Sequence, residues 1–342
     1  MSMRSELGEG PEIVERLLDG ATEQVAAVAR AVRERTIDIV LIAARGTSDH
    51  AAIYAQYVLG ARNRLAVALA APSLFSVYAA PPRLHNALVL GISQSGRSPD
   101  VVAVLQDARR QGALTVAITN DPTSELAAAG DLVVELEAGP ERAVAATKTY
   151  LAEIALLAML SAALSGDAES AAQLRALPGA LREAFQVEEE IARLAVARAA
   201  DDRCAVLARG FHYGTAREWA LKIKELAYVL ADPYSAADFQ HGPIALVQQD
   251  FPILAVATSG PALEGMVDLL RRLREARARI LTLSDVADVR AFGDAVPLPA
   301  VPEWLAPLVA IIPAQLFAYH LARARGLDTE APRNLAKVTL TR

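Results

Sequence analysis

The sequence predicts an α/β protein built from two tandem, doubly wound, three-layer αβα domains with parallel sheets, related by internal duplication. Three observations carry that expectation. The 342-residue chain is 53% apolar and 22% charged, enough for about two domains with sizeable cores. Its strand candidates are continuous apolar runs rather than alternating ones, as in parallel sheets covered on both faces. Finally, the chain repeats itself: apolar runs end in Arg45-Gly46 and in Arg209-Gly210, others end in Ser95-Gly96 and in Ser259-Gly260, and both offsets are 164 residues.

Taken in order, Pro11 suits the first turn of an N-terminal helix expected to run to about Arg35. DIVLIAARGTSDH and LVLGISQSG then supply two strands with polar ends, and DVVAVLQDARRQGALTVAIT supplies a helix and a third strand. A short apolar run follows Gly130-Asp131, and LAEIALLAMLSAAL from Leu151 is a core helix. The polar-enriched stretch from Gly166 to Asp202, with Pro178-Gly179 as its breaker, joins the halves. The second half repeats the order through PILAVATSG, EGMVDLLRRLREARARILTLS, Gly293-Asp294 and the apolar helix from Leu305. The expected boundaries are 1–35 (helical segment), 36–170, 171–202 (helical linker), 203–326 and 327–342 (tail).

A net charge of −6 with no Lys/Arg cluster argues against a nucleic-acid partner. The single cysteine, Cys204, excludes an intramolecular disulfide and a cysteine metal cluster, and MSMRSELGEGPEIVERLL has no apolar signal core, so a cytoplasmic location is expected. Membrane spanning is not expected: the run from Leu151 is short, and that from Leu305 carries Pro313, Gln315 and His320.

Ligands of doubly wound sheets bind beyond the carboxyl ends of the strands. There the first half places GTSD and SQSGRS, whose hydroxyls and free helix N–H groups suit an anion such as phosphate. Ser98-Pro99-Asp100 alone is an ordinary helix start, but that does not account for Ser93, Gln94 and Ser95. The duplicate loop ATSGPA has lost the glutamine and the later serine, so the second half is not expected to hold the same anion. Instead it has Glu218, Lys222 and Glu225 at i, i+4 and i+7, a spacing that on an arbitrary helix makes a solvated ladder. Here the helix directly follows Arg209-Gly210, and His241 lies beyond it. Together a carboxylate, a cation and an imidazole can open a sugar ring and move a proton between adjacent carbons.

RGTSDH, SQSGRSPD, AVAATKTY, EWALKIKELAY, QHGPIAL and PRNLAK resemble, in that order, the isomerase half of the glucosamine-6-phosphate synthases, a tandem pair of sugar isomerase (SIS) domains. The resemblance covers nearly the whole chain. It implies that Ser93, Gln94, Ser95 and Ser98 bind the substrate's phosphate, and that Ser48, Val144, Ala146 and Ala336 lie at the sugar. It also implies that Glu225 moves the proton between carbons 1 and 2 beside Lys222 and Glu218, and that Lys337 forms a Schiff base with the open ketose. His241 would open the ring, contributed by the neighbouring subunit of a homodimer. No metal or organic cofactor is implied.

Three residues depart from the family pattern. Ala146 replaces a serine, Arg45 a small residue, and Arg97 an acidic one. Residue 2 is serine and the first repeat begins almost at once, so the family's glutamine-hydrolysing domain is not expected to act through this chain. The implied function is a glutamine-independent isomerase/deaminase converting glucosamine 6-phosphate to fructose 6-phosphate and ammonia. Two alternatives stay open: a deglycase or aldose–ketose isomerase of another 6-phosphosugar, and a non-catalytic sugar-phosphate sensor.

Overall fold

The computed structural model describes residues 2–337. Three helices come first, α1 (Met3–Gly8), α2 (Gly10–Gly20) and α3 (Thr22–Arg33). The single helix expected over Pro11–Arg35 is thus two, parted at Ala21, just past Gly20, where a Cβ atom would stand 2.6 Å from Glu137 Oε2. The chain continues through β1 (Ile39–Ala43), α4 (Thr47–Asn63), β2 (Ala66–Leu69), α5 (Ser73–Ser76), β3 (Ala87–Ile92), α6 (Pro99–Arg110), β4 (Leu114–Thr119), α7 (Glu125–Ala129), β5 (Leu132–Glu135) and α8 (Lys148–Ser165). Two connecting helices, α9 (Ala168–Ala184) and α10 (Glu188–Ala197), lead into β6 (Arg203–Ala208), α11 (Tyr213–Ala227), β7 (Leu230–Ser235), α12 (Ala236–Gln240), β8 (Pro252–Val256), α13 (Leu263–Glu275), β9 (Arg279–Ser284), β10 (Asp294–Pro297) and α14 (Ala306–Ala324).

The residues group into two compact units. The first holds 12–141, 148–176 and Ala336–Lys337; the second holds 2–11, the segment 142–147 and 177–335. The change of unit at Leu177 falls inside α9, which runs unbroken through Pro178-Gly179. The expected break there is absent, because a proline in a helix forfeits one N–H bond but can still be accommodated.

Each unit carries a five-stranded, fully parallel sheet, ordered β2-β1-β3-β4-β5 in the first and β10-β9-β8-β6-β7 in the second. These are the same topology, and the equivalent strands β3 and β8 end 164 residues apart, at Ile92 and Val256. Every residue of β3 and β4 is buried. That two-sided burial is why their sequences show no alternation. In the first unit one core joins β1, β3 and β4 to α6 through Leu41, Val89, Ala117, Val101 and Leu105.

The two long apolar stretches are inner helices. The run from Leu151 lies in the 18-residue α8, longer than the run itself suggests and apolar enough to cross a membrane by length and composition, yet mostly buried and packed on α3 and α4. In the second unit α14 packs on α10 and α11, where Trp219 meets Phe317 edge to face at 5.6 Å. This seats α11, the helix that matters most below.

Candidate active site

In the first unit the sheet order reverses between β1 and β3, the crevice where doubly wound sheets take ligands. The loop Ser93–Ser98 lies on its β3 side. Ser93 is buried, its N–H donates to Ile118 O (3.1 Å), and its Oγ accepts the Gly96 N–H (3.2 Å). Ser95 Oγ accepts the Arg97 N–H (3.3 Å), while Gln94 O accepts from the Asn120 N–H (3.1 Å). The loop is therefore pinned to the end of β4, with its hydroxyl protons still available to a ligand. Ser98 stands at the N-cap of α6, with Pro99 in the first turn, but its side chain makes no capping bond. A serine that sits at a cap without capping is explained poorly by helix initiation and well by an external partner.

Gly96 does not open space for a ligand. Its φ is +63°, and a Cβ would stand 2.1 Å from Ser124 Oγ, so the glycine serves the turn and its packing.

Gln94, Ser95 and Arg97 line a cleft of about 210 Å³ with Asn120, Asp121, Glu141 and Lys337. Lys337 Nζ donates to Glu141 Oε2 at 2.7 Å. The fully buried Glu141 side chain also accepts from Thr149 N (3.1 Å) and Thr149 Oγ1 (2.8 Å). Lys337 is thereby placed beside the serine loop, with Ala336 exposed next to it; residues 338–342 of the expected tail lie outside the described residues. Arg97 turns aside to Asp121 at 3.4 Å. Ser48, buried in the first turn of α4, donates to Glu153 Oε1 at 2.7 Å, an internal partner that the sequence does not suggest.

In the second unit, Val144 and Ala146 are half-buried in the segment 142–147. The buried Glu6 of α1 clamps that segment by accepting the N–H groups of Arg142 (2.6 Å) and Ala143 (3.1 Å).

The Glu218, Lys222 and Glu225 side chains of α11 are not a solvated ladder. Glu218 and Lys222 are fully buried, and the Glu225 side chain is 19% exposed. Lys222 Nζ lies 2.5 Å from Glu225 Oε2 and 3.4 Å from Glu218 Oε1. Burial, the largest single influence, pulls the amine down, but the two carboxylates together outweigh it and the Lys222 ammonium titrates above the usual lysine range. One lysine faces two carboxylates, so one negative charge remains over, and Glu225 is the carboxylate with an opening. His241 is solvent-exposed at the C-cap of α12 and makes no hydrogen bond to this group among the described residues.

The duplicated loop of the second unit is occupied from within. Ser259, the counterpart of Ser95, gives its N–H to Asp285 Oδ1 (2.8 Å) and its Oγ proton to Asp285 Oδ2 (2.5 Å). An incoming anion there would meet a carboxylate already in place. Nearby, the buried His212 shares a 2.7 Å hydrogen bond with Thr258 Oγ1, and burial depresses its pKa to about 4. Because the folded value lies below the unfolded one near 6.5, His212 adds no cost above pH 6.5, and stability drains away as pH falls toward 4, by roughly 3 kcal/mol in all. A His212→Gln variant is expected to flatten that acid limb in urea melts between pH 7 and 4; an unchanged slope would show that other groups cause it.

Glu141 and Glu6 are the groups that the sequence does not single out. Glu141 directly precedes the quoted AVAATKTY by two residues, but nothing local reveals its lysine partner.

A family model described as "SIS domain" matches residues 33–163 and 199–325. The glutamine–fructose-6-phosphate aminotransferase [isomerizing] of Zymomonas mobilis is 34% identical over 353 aligned positions, covering 98% of this chain and 58% of that protein. The chain thus spans little more than half the length of the curated relatives it matches. A crystal structure from Silicibacter pomeroyi superposes with a TM-score of 0.87 at 36% identity, over 96% of this chain and all of that one. The C-terminal domain of glucosamine-fructose-6-phosphate aminotransferase from Francisella tularensis gives 0.86 at 26% identity, over 96% and 98%.

Proposed function

The chain belongs to the SIS domain family, and from that premise we propose that it is a phosphosugar isomerase acting as a deaminase on glucosamine 6-phosphate, yielding fructose 6-phosphate and ammonia. The observation that carries this reading is the buried Lys222 held between two carboxylates on α11, one of them partly open. Such a group is costly to bury and contributes little to stability over apolar packing, so its place inside α11 calls for a chemical use.

Ser93, Gln94, Ser95 and Ser98 hold the phosphate through hydroxyl and backbone donors. His241, supplied by a neighbouring subunit, assists ring opening, a role that its exposure on its own unit supports. Glu225 takes the proton from carbon 2 of the open aldehyde and returns it to carbon 1, leaving a 2-imine. Lys222 steadies the oxygen that gains negative charge between the two transfers. Water then replaces the imine nitrogen, which leaves as ammonia, either directly or after exchange onto Lys337. For that exchange Lys337 must shed a proton, and Glu141 is in contact to receive it.

Ala146 favours a second reading. With no hydroxyl at this half-buried position, one sugar contact of the family is missing, which suits a deglycase of a 6-phosphorylated sugar–amine conjugate or an aldose–ketose isomerase. Incubation with glucosamine 6-phosphate is expected to release equal amounts of ammonia and fructose 6-phosphate. Binding without turnover would reject the deaminase, and turnover only of the conjugates or of simple hexose 6-phosphates, assayed in parallel, would select the second reading.

A further inference from the structure

We propose that Arg45 is the cationic member of the anion grip, offering its terminal amino groups to the substrate's phosphate from the β1 side of the crevice. The proposal rests on the phosphosugar reading above. Without it the serine loop offers only neutral hydroxyl, amide and backbone donors, because Arg97, the cation of the loop itself, turns to Asp121 and its side chain is 65% exposed.

Arg45 follows β1 by two residues, and β1 neighbours β3 where the sheet order reverses. The crevice at that reversal therefore has the serine loop on one wall and Arg45 on the other. Its Nε donates to Asp100 Oδ2 at 2.6 Å, and Asp100 is fully buried in the first turn of α6, two residues past Ser98. The other Asp100 oxygen accepts the Val101 N–H at 2.9 Å. Arg45 is thus moored by one nitrogen at the mouth of the helix that opens the phosphate site, while its side chain is 49% exposed and its two terminal amino groups have no hydrogen bond among the described residues.

The mooring has two effects. It orders a long side chain before the ligand arrives, which lowers the entropy lost on binding. It also offsets Asp100: a phosphate approaching Ser98 without Arg45 would face an uncompensated buried carboxylate. A half-exposed guanidinium fixed at one nitrogen, with no bond at its other two, can read a phosphate with two parallel donors.

The competing account is that Arg45 does no more than neutralise Asp100. Isothermal titration of glucosamine 6-phosphate, inorganic phosphate and unphosphorylated glucosamine against Arg45→Gln and against the double variant Arg45→Gln/Asp100→Asn separates the two. The double variant removes the buried charge together with its partner, so its melting temperature should stay near that of the wild type even if the single variant folds poorly. Both variants are expected to bind the two phosphate ligands roughly ten- to hundred-fold more weakly, with a shallower dependence on salt. Arg45→Lys should fall between, and glucosamine binding should not move. Wild-type phosphate affinity in the double variant would overturn the proposal. Because binding needs no turnover, wild-type protein that binds phosphosugars but converts none would reject the reaction and leave Arg45 standing; failure to bind either phosphate ligand would reject both.

Discussion

Glu225→Gln is expected to lower proton exchange at carbon 2 by about 10²- to 10⁴-fold while leaving glucosamine 6-phosphate affinity within a few-fold of wild type. The glutamine keeps the shape and the hydrogen bond of the side chain to Lys222, which lies 2.5 Å away, but cannot accept a proton. Affinity should hold because the phosphate donors belong to the other unit, on the loop Ser93–Ser98. Loss of the carbon-2 proton signal in heavy water, followed by NMR, reads the step directly, before any imine is hydrolysed. Exchange that continues at the wild-type rate would remove Glu225 from the mechanism, and loss of binding together with exchange would make it a ligand contact instead.

The second large effect concerns stability. Lys222→Met should destabilise the protein by about 3–5 kcal/mol at neutral pH, because it fills the space of the lysine and strands two carboxylates, one fully buried. The sign of the pH dependence follows from the raised folded value of Lys222. Its contribution is complete below the unfolded lysine value near 10.4 and is lost as pH rises through the higher folded one. Urea unfolding of wild type and variant should therefore differ most at pH 7 and converge at strongly alkaline pH. Adding Glu218→Gln to the variant should restore part of the loss, since it removes one stranded charge. A variant as stable as wild type at pH 7 would mean that the group titrates or hydrates in a way the buried geometry excludes.

Most of the fold was legible in the residues, and the strands that were not lie at sheet edges. β1, β3, β4, β6, β8 and β9 lie inside their sheets and so must be apolar on both faces, which leaves an unmistakable run. β2 and β7 are edge strands. β7, LADPYS, carries Asp232 and Pro233, tolerable only because an edge strand has an unpaired side, and it has no sequence signature. The site divides in the same way. The serine loop and the Glu218–Lys222–Glu225 face are local, and comparison with the chain's own duplicate separates what the turn needs from what a ligand needs. The serine loop keeps its hydroxyl protons for a ligand, whereas Asp285 fills the loop that lost them. By contrast Lys337 and Glu141 are 196 residues apart, Glu6 and Arg142 are 136 apart, and Arg45 and Asp100 are 55 apart. No spacing rule reaches across such distances, so Arg45 reads in the sequence as a loose substitution and in three dimensions as a moored one.

The segment 142–147 bears on any attempt to dissect the protein. Polypeptides 1–176 and 177–342, made separately, would not each be a whole unit: the first would carry off α1, whose Glu6 holds Arg142 and Ala143, and the segment 142–147 itself, while the second would carry off Lys337. Truncation at the apparent joint would thus yield two incomplete products, and recovery of a folded protein would demand co-expression. For translation, it means that α1 and the segment 142–147 must wait for residues 177–335 before the second unit can close, while the first unit waits for Lys337.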